Sequence, residues 1–424
     1  MTATASRRST VRDLLTVMSG TAGAQAIGLL ILPVLARVFV PEAFGVFQLY
    51  LSLLIFCSVG IALRIELTLV SRHDDEVHHT LASLFGLVLV VALFVTAALS
   101  LYSAFGASLG FPAALLGLGL IGNGCIQIAS YKLIRDQSFS RLAKLKVGQV
   151  LIYALVALAM AALNPTLWGI IVADVIGRLT AGAYGLFAVQ PTKAERTAPL
   201  VRLRGLPSFV RQNWELAIIS LPGALANSGG AMLTPFMIFH VFGAAAAGQY
   251  GLVDRAMGVP VAMIVVAGSQ VFLGRVTEQI RAGNRAAVLN IFVKIVVAGA
   301  VICGVGVLVA RALIPFAFDI AFGPGWGPAI EIARIMIFGY AVALVMGIVN
   351  QTLIALRAFR LQSAWDFGWP VCIGLAWILV VTQGLDLYTA ISLHAAAVSL
   401  LGLIFILLCI AKLRGASTPE AAEA

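Results

Sequence analysis

The chain has 424 residues, of which 61% are hydrophobic and 11% charged, with a mean hydropathy of +1.02. Soluble domains are nearer ~45–50% apolar and ~25% charged, so no core of this size hides the surplus and a soluble globular protein is excluded. The net charge of +10 comes without the basic, aromatic-interleaved face that a nucleic-acid partner requires, which excludes that partner as its cause.

The apolar runs are continuous over about 18–25 residues instead of alternating in strands of about 10, so the spanning unit is the α-helix and not a barrel strand. Hydropathy and polar interruptions predict helices over 13–36, 44–63, 80–100, 112–130, 147–163, 168–190, 214–242, 249–274, 288–312, 330–355, 365–383 and 387–410. Twelve spans of ~21 residues absorb ~250 apolar positions, nearly the whole supply. The first run is longer than a signal-peptide core and lacks a cleavage site, so it is expected to stay as helix one.

An even number of spans puts both termini on one side. The connections on that side carry 22 of the 28 Lys and Arg residues, which makes it the cytoplasmic side. The opposite connections are short, as at 164–167 and 243–248, and the longest, 313–329, carries one charge, Asp319. No domain is expected on the outer face. Cys57, Cys125, Cys303, Cys372 and Cys409 lie in apolar runs without metal or disulfide spacing and read as packing residues.

The basic stretch 191–213 falls near the middle and leaves six helices on either side. Residues 37–47 and 240–250 superimpose at an offset of 203, matching Val38 with Val241, Phe39 with Phe242, Ala43 with Ala246 and Gly45 with Gly248. The reading is an internal duplication whose halves have the same orientation and relate by an axis along the membrane normal. The expected organisation is a six-helix bundle over 1–190, a cytoplasmic linker over 191–213, a second six-helix bundle over 214–410 and a cytoplasmic tail over 411–424. Paired bundles of this kind commonly enclose a site that opens alternately to each side, so the architecture points to a transporter.

Charges inside spans need a partner, a wet cavity or a substrate, because burial at mid-bilayer costs ~2.5–3.5 kcal/mol on insertion scales. Arg64 and Glu66 stand near the cytoplasmic end of helix two. Asp174 and Arg178 are four residues apart on one face of helix six, placed to pair with each other. Asp254 and Arg255 lie in helix eight, where adjacent side chains diverge by about 100° and need separate partners. Lys294 is in helix nine. Arg255, Arg178, Arg64 and Lys294 are the candidates for an anionic group; Gln25, Asn227 and Gln270 are candidates for neutral polar contacts; Glu66, Asp174 and Asp254 are candidates for coupling to a proton or sodium gradient. The bland alternatives are snorkelling for Arg64 and Lys294, a neutralised packing pair for Asp174 with Arg178, and helix-to-helix hydrogen bonds for the amides. Helix seven, with Pro222 and Pro235 over 29 residues, is the candidate moving element.

No Gly-Lys dipeptide occurs, which removes a Walker A lysine, and HExxH is absent. Carboxylates on the outer connections are few, so the chain reads as a transporter and not an enzyme, without a cofactor or a metal.

Two stretches carry a family resemblance. Ser19-Gly20-Thr21, then residues 35–47 (LARVFVPEAFGVF) and 63–67 (LRIEL), resemble the opening of the bacterial polysaccharide repeat-unit flippases, which translocate O-antigen and exopolysaccharide units. Residues 249–260 (QYGLVDRAMGVP) and 269–275 (SQVFLGR) are similar to the eighth-helix segment of that family. It belongs to the multidrug/oligosaccharidyl-lipid/polysaccharide exporter superfamily. The resemblance implies an all-α, MATE-like integral membrane fold of about twelve helices in two six-helix bundles around a central cavity. It also implies a bacterial inner-membrane flippase that carries undecaprenyl-pyrophosphate-linked oligosaccharide from the cytoplasmic to the periplasmic leaflet. A polysaccharide polymerase and assembly proteins would be its partners, beside membrane lipids. The alternatives on the same scaffold are an ion-coupled exporter of cationic drugs, whose cavity should be acidic, and a flippase for a lipid-linked peptidoglycan precursor.

Overall fold

The computed structural model describes residues 2–106, 109–163, 165–189 and 201–415, with side chains placed from Gly20 onward except at Asp75 and Gly415. Among the described residues every regular element is helical. Eleven stretches are long and apolar enough to cross a membrane, and one of them, Leu216–Arg281, is 66 residues long and has room for two crossings. The exterior is greasy: Leu30, Phe94, Phe105 and Leu308 are 72–83% exposed. In water such side chains would aggregate, whereas in hydrocarbon they are the matched surface. The chain is a multi-pass membrane protein. By internal packing it divides into Met1–Gly248 and Gln249–Ala424. Of the predicted linker, residues 191–200 lie outside the described residues, as do 416–424 of the tail.

The first unit begins with α1 (Thr2–Val38) and α2 (Pro41–Gly60). Pro41 starts α2 because its fixed φ suits a first helical position and its missing N–H costs nothing there, while Val40 before it is extended. A 3₁₀ segment (Ile65–Val70) leads to α3 (Asp74–Ala104), followed by α4 (Ala113–Arg135), α5 (Phe139–Leu163) and α6 (Gly169–Ala188). Helix α4 is the central element, packing on α2, α3 and α6. It does so through glycine: a Cβ at Gly119 would stand 2.3 Å from the Tyr50 hydroxyl, and one at Gly122 2.7 Å from the Arg178 carbonyl carbon. Without a hydrophobic drive between helices in lipid, close backbone approach of this kind supplies the packing. After the linker come α7 (Leu206–Gln212), a π turn (Leu216–Ser220) and α8 (Leu221–Val253), whose helical course is broken at Gly243 (φ 89°, ψ 173°). The predicted connection 243–248 is therefore a single-residue break, with helix resuming at once.

That break presents Ala244–Gly248 to the start of α2. A Cβ at Gly45 would lie 1.7 Å from the Ala244 carbonyl oxygen, and a Cβ at Gly248 1.8 Å from the Pro41 carbonyl oxygen. Both pairs of positions, 45 with 248 and 41 with 244, share the offset of 203 read from the sequence. The crossing is reciprocal, as a duplicated helix start packed on its own copy would be.

The second unit contains a π turn (Asp254–Gly258), then α9 (Val259–Arg281), α10 (Arg285–Phe322), α11 (Gly327–Val349), the short α12 (Thr352–Ala355), α13 (Phe359–Gln383) and α14 (Leu387–Gly415). Asn284 caps α10, its side-chain oxygen accepting from the Ala287 amide at 3.0 Å. The core joins Phe272, Phe292, Val345, Val349, Leu353, Phe405 and Cys409, with the Trp365 ring 5.0 Å from that of Phe405. Two expectations need correction. The outer connection 313–329 is mostly helix, since α10 runs on to Phe322, because helical backbone satisfies its own hydrogen bonds wherever the apolar pattern stops. Asp254 and Arg255 lie in a π turn and not in regular α-helix, so the 100° spacing does not apply to them.

Candidate functional site

Three helices of the first unit meet on one polar chain. Helix α6 presents Asp174 and Arg178 one turn apart. Arg178 Nε donates to Asp174 Oδ2 at 2.6 Å, and the Tyr50 hydroxyl of α2 donates to the same oxygen at 3.0 Å. Arg178 Nη1 donates to Asn123 Oδ1 of α4 at 2.6 Å, and Asn123 Nδ2 donates to Ser58 Oγ at 2.8 Å. The Asp174 and Arg178 side chains are 10% and 14% exposed. The pair is neutral as a unit and almost fully satisfied, which is what makes burial of two charges tolerable. It fixes the rotation of α2, α4 and α6 relative to one another.

Below it the chain leaves α2 by an elbow. Leu63 (φ 51°) and Arg64 (φ 63°) are both left-handed, a conformation that costs an L-residue about 1–2 kcal/mol. Helix α4 holds the elbow from the side. Gln127 Nε2 donates to Glu66 Oε1 at 2.8 Å, and Arg135 donates both to the Leu69 carbonyl at 2.9 Å and to Asp74 at 2.5 Å. Burial pushes the Glu66 carboxyl above its ordinary range, with the Arg64 charge and the Gln127 hydrogen bond offsetting part of the shift. Arg64 Nε and Glu66 Oε2 are buried and lack hydrogen-bond partners among the described residues. Strain together with orphaned polar atoms at one elbow marks a place shaped for something other than stability.

In the second unit, the π turn turns Asp254 toward α11, where the Tyr340 hydroxyl donates to Asp254 Oδ1 at 2.8 Å. Gly258 admits this contact, since a Cβ there would crowd Asp254 Oδ1 at 3.1 Å and the Tyr340 ring at 3.3 Å. Arg255 follows on the same turn, half-buried. A π turn places consecutive side chains where an α-helix would not, and such turns recur at functional positions. Lys294 is exposed on α10 and has no hydrogen bond or ion pair among the described residues. Gln270 is exposed on α9 and lines a cavity of about 550 Å³ with Glu278 and Arg281. Gln25 is half-buried on α1 and Asn227 exposed on α8.

The structure therefore brings together two of the sequence candidates as a pair, Asp174 with Arg178, and joins Arg64 and Glu66 at one elbow. It gives Asp254 a tyrosine partner and leaves the three amides without side-chain hydrogen bonds among the described residues. Tyr50, Asn123, Gln127 and Tyr340 were not singled out by the sequence. Asn123 and Gln127, polar residues four apart in an apolar helix, were the available signal.

Comparison with known proteins bears on this arrangement. In solved structures the fold is similar to the lipid II flippase MurJ in an inward closed conformation, with a TM-score of 0.67 at 11% identity over 94% of this chain and 90% of that one. An inward-facing multidrug resistance MATE family transporter of the MOP superfamily gives 0.59 at 11% identity over 95% and 96%. MATE in complex with MaD3S gives 0.56 at 13% over 96% of each chain. Such identities speak for fold alone. No curated protein matches the chain by sequence. The profile of one family, described as polysaccharide biosynthesis protein, matches residues 34–331, and with that span, including the α2 elbow and the Asp254 turn, the chain belongs to the polysaccharide biosynthesis protein family.

Proposed function

We propose that the protein is a flippase that moves undecaprenyl-pyrophosphate-linked oligosaccharide repeat units from the cytoplasmic to the periplasmic leaflet of a bacterial inner membrane by alternating access. The observation that carries this reading is the family match over residues 34–331 on a multi-pass helical fold. The fold is one that a lipid II flippase shares. The physical task is to pass a diphosphate and a hydrated sugar across ~30 Å of hydrocarbon, which neither crosses unaided. Guanidinium groups answer it with bidentate, charge-assisted hydrogen bonds to phosphate.

Arg255, on its π turn, is the residue assigned to the diphosphate, with Arg64 and Lys294 contributing and Arg178 acting from its pair with Asp174. Gln25, Asn227 and Gln270 meet sugar hydroxyls, and Glu66, Asp174 or Asp254 couples movement to a proton or sodium gradient. The distribution of basic residues puts both termini in the cytoplasm. A polysaccharide polymerase and assembly proteins receive the product.

The test is reconstitution in liposomes with a fluorescent lipid-linked oligosaccharide beside a cationic dye. Transport of the oligosaccharide, lost in Arg255→Ala at equal protein abundance, is expected. Transport of the dye alone sinks the reading and assigns the chain to cation export. Unimpaired oligosaccharide movement in Arg255→Ala removes that arginine from the site.

A further inference from the structure

A second polar cavity, of about 510 Å³, lies in the first unit away from the residues discussed above, between α3 and the segment that ends in α7. Its walls are two helix faces. Glu76, His79, Thr80 and Ser83 come from α3, and Gly205, Ser208, Phe209 and Gln212 from the 205–212 segment, both in the i, i+3, i+4, i+7 spacing of one face. Arg72, Arg202 and Arg204 line it as well. Against these three cations stands, among the described residues of the lining, one carboxylate, Glu76, already paired with Arg72 Nη1 at 3.0 Å.

The cations are held in place. Arg72 Nη2 donates to Asn213 Oδ1 at 2.7 Å, joining the start of α3 to the end of α7. The backbone of Arg202 is docked on α3: its amide donates to the Ala82 carbonyl at 2.8 Å. Gly86 makes this possible, because a Cβ there would meet the Arg202 carbonyl oxygen at 2.4 Å. Arg202 Nη1 lies 3.3 Å from His79 Nδ1. Guanidinium only donates, so in this contact the ring nitrogen is the acceptor. Arg202 keeps further N–H groups to offer, and Arg204 has no hydrogen bond or ion pair among the described residues. With Thr80 they give the cavity an excess of positive charge and of donors, the complement of phosphate oxygens.

Its depth fits a lipid headgroup. Helix α3, which is long and apolar enough to span the membrane, begins at Asp74, so Arg72, Glu76 and His79 stand at the end of a span. Leu203, between the two arginines, is 58% exposed, and Trp214 just beyond α7 is 48% exposed. Exposed apolar side chains interleaved with arginine and followed by tryptophan belong at the polar border of a bilayer.

We propose that this cavity is a binding site for a diphosphate headgroup, where Arg202 and Arg204 first capture an isoprenoid-diphosphate lipid from the leaflet beside it. The identity of the cargo rests on the proposed function; the diphosphate chemistry of the cavity does not.

The experiment uses full-length protein in phosphatidylcholine nanodiscs, labelled at arginine with phenylglyoxal and mapped by mass spectrometry. The probes are farnesyl diphosphate, inorganic pyrophosphate and farnesol. Farnesyl diphosphate is expected to protect Arg202 and Arg204 but not the exposed Arg360, and farnesol is expected to protect neither. Protection at about ten-fold lower concentration than pyrophosphate, the factor expected when an apolar chain adds at least 1.4 kcal/mol, assigns the lipid as the source. Equal protection by pyrophosphate keeps the diphosphate class and assigns a free anion. The variant Arg202→Ala with Arg204→Ala should bind farnesyl diphosphate about ten-fold more weakly or worse, the loss of one charge-assisted hydrogen bond. Arg255→Ala should leave protection of Arg202 and Arg204 intact. Unprotected Arg202 and Arg204 with either diphosphate, or unchanged affinity in a folded double variant, overturns the proposal. Protection in a protein that moves no oligosaccharide would overturn the flippase reading and leave this site standing.

Discussion

Alanine at position 45 would place a methyl carbon 1.7 Å from the Ala244 carbonyl oxygen and 2.9 Å from the Gly248 amide nitrogen. Side-chain carbons essentially never come closer than 3.0 Å to such atoms, so the start of α2 would have to retreat from the 244–248 segment by at least 3.0 − 1.7 = 1.3 Å. The obstructing atoms are backbone, which no rotamer change can move. Overpacking of this kind costs about 1–3 kcal/mol, and the lost close approach is the main source of attraction between helices in lipid. Gly248→Ala meets the Pro41 carbonyl oxygen at 1.8 Å, so its cost should be nearly the same. One separation relieves both clashes. The double variant should therefore lose clearly less than the sum of the two single losses, a coupling that independent sites do not show. Unfolding in bicelles by SDS titration measures all three. A Gly45→Ala variant as stable as the parent, or a double variant whose losses simply add, would refute the reciprocal crossing.

Glu66→Gln keeps the acceptor for Gln127 and removes the ionisable group. Because the folded state holds the Glu66 proton to higher pH than the unfolded chain does, unfolding releases a proton in the window above the ordinary value of 4.5. Stability from this group is therefore greatest below that value and falls as pH rises through the window. The variant should be more stable than the parent near neutrality and lose that slope, as read by thermal unfolding across pH; an unchanged profile would show that Glu66 is not desolvated. Asp174→Ala should cost about 3–5 kcal/mol, the penalty of leaving the Arg178 charge buried without its counter-ion. Tyr50→Phe should cost about 1.5–3 kcal/mol for one hydrogen bond to a carboxylate, and the reverse order would contradict the assigned network. Gln249 is buried, accepts from the Ala329 amide at 3.1 Å and donates to the Gly325 carbonyl at 3.3 Å. Gln249→Leu should cost about 1–3 kcal/mol and speed amide exchange at Ala329, whereas unaltered exchange there would show that the helix start does not depend on this side chain.

The membrane class, the approximate place of each span and the offset of 203 were all legible in the sequence, because hydropathy and repetition are properties of the chain read along its length. Asp174 with Arg178 was legible too, since four residues on a helix is a local distance. The ends of the helices were not, because backbone bonding carries α10 to Phe322 past the apolar run that announced it. What tertiary structure alone decided was every contact that depends on how one apolar helix is rotated against another. Tyr50 reaches Asp174 across 124 residues, and Gln127 reaches Glu66 across 61. Arg202 settles over Gly86. A helix that is apolar all round gives no sign of which face turns inward, and two consecutive left-handed residues without glycine, Leu63 and Arg64, give no local sign at all. Those choices are made by backbone approach through glycine and by the few polar groups that must find one another in a medium that offers no water.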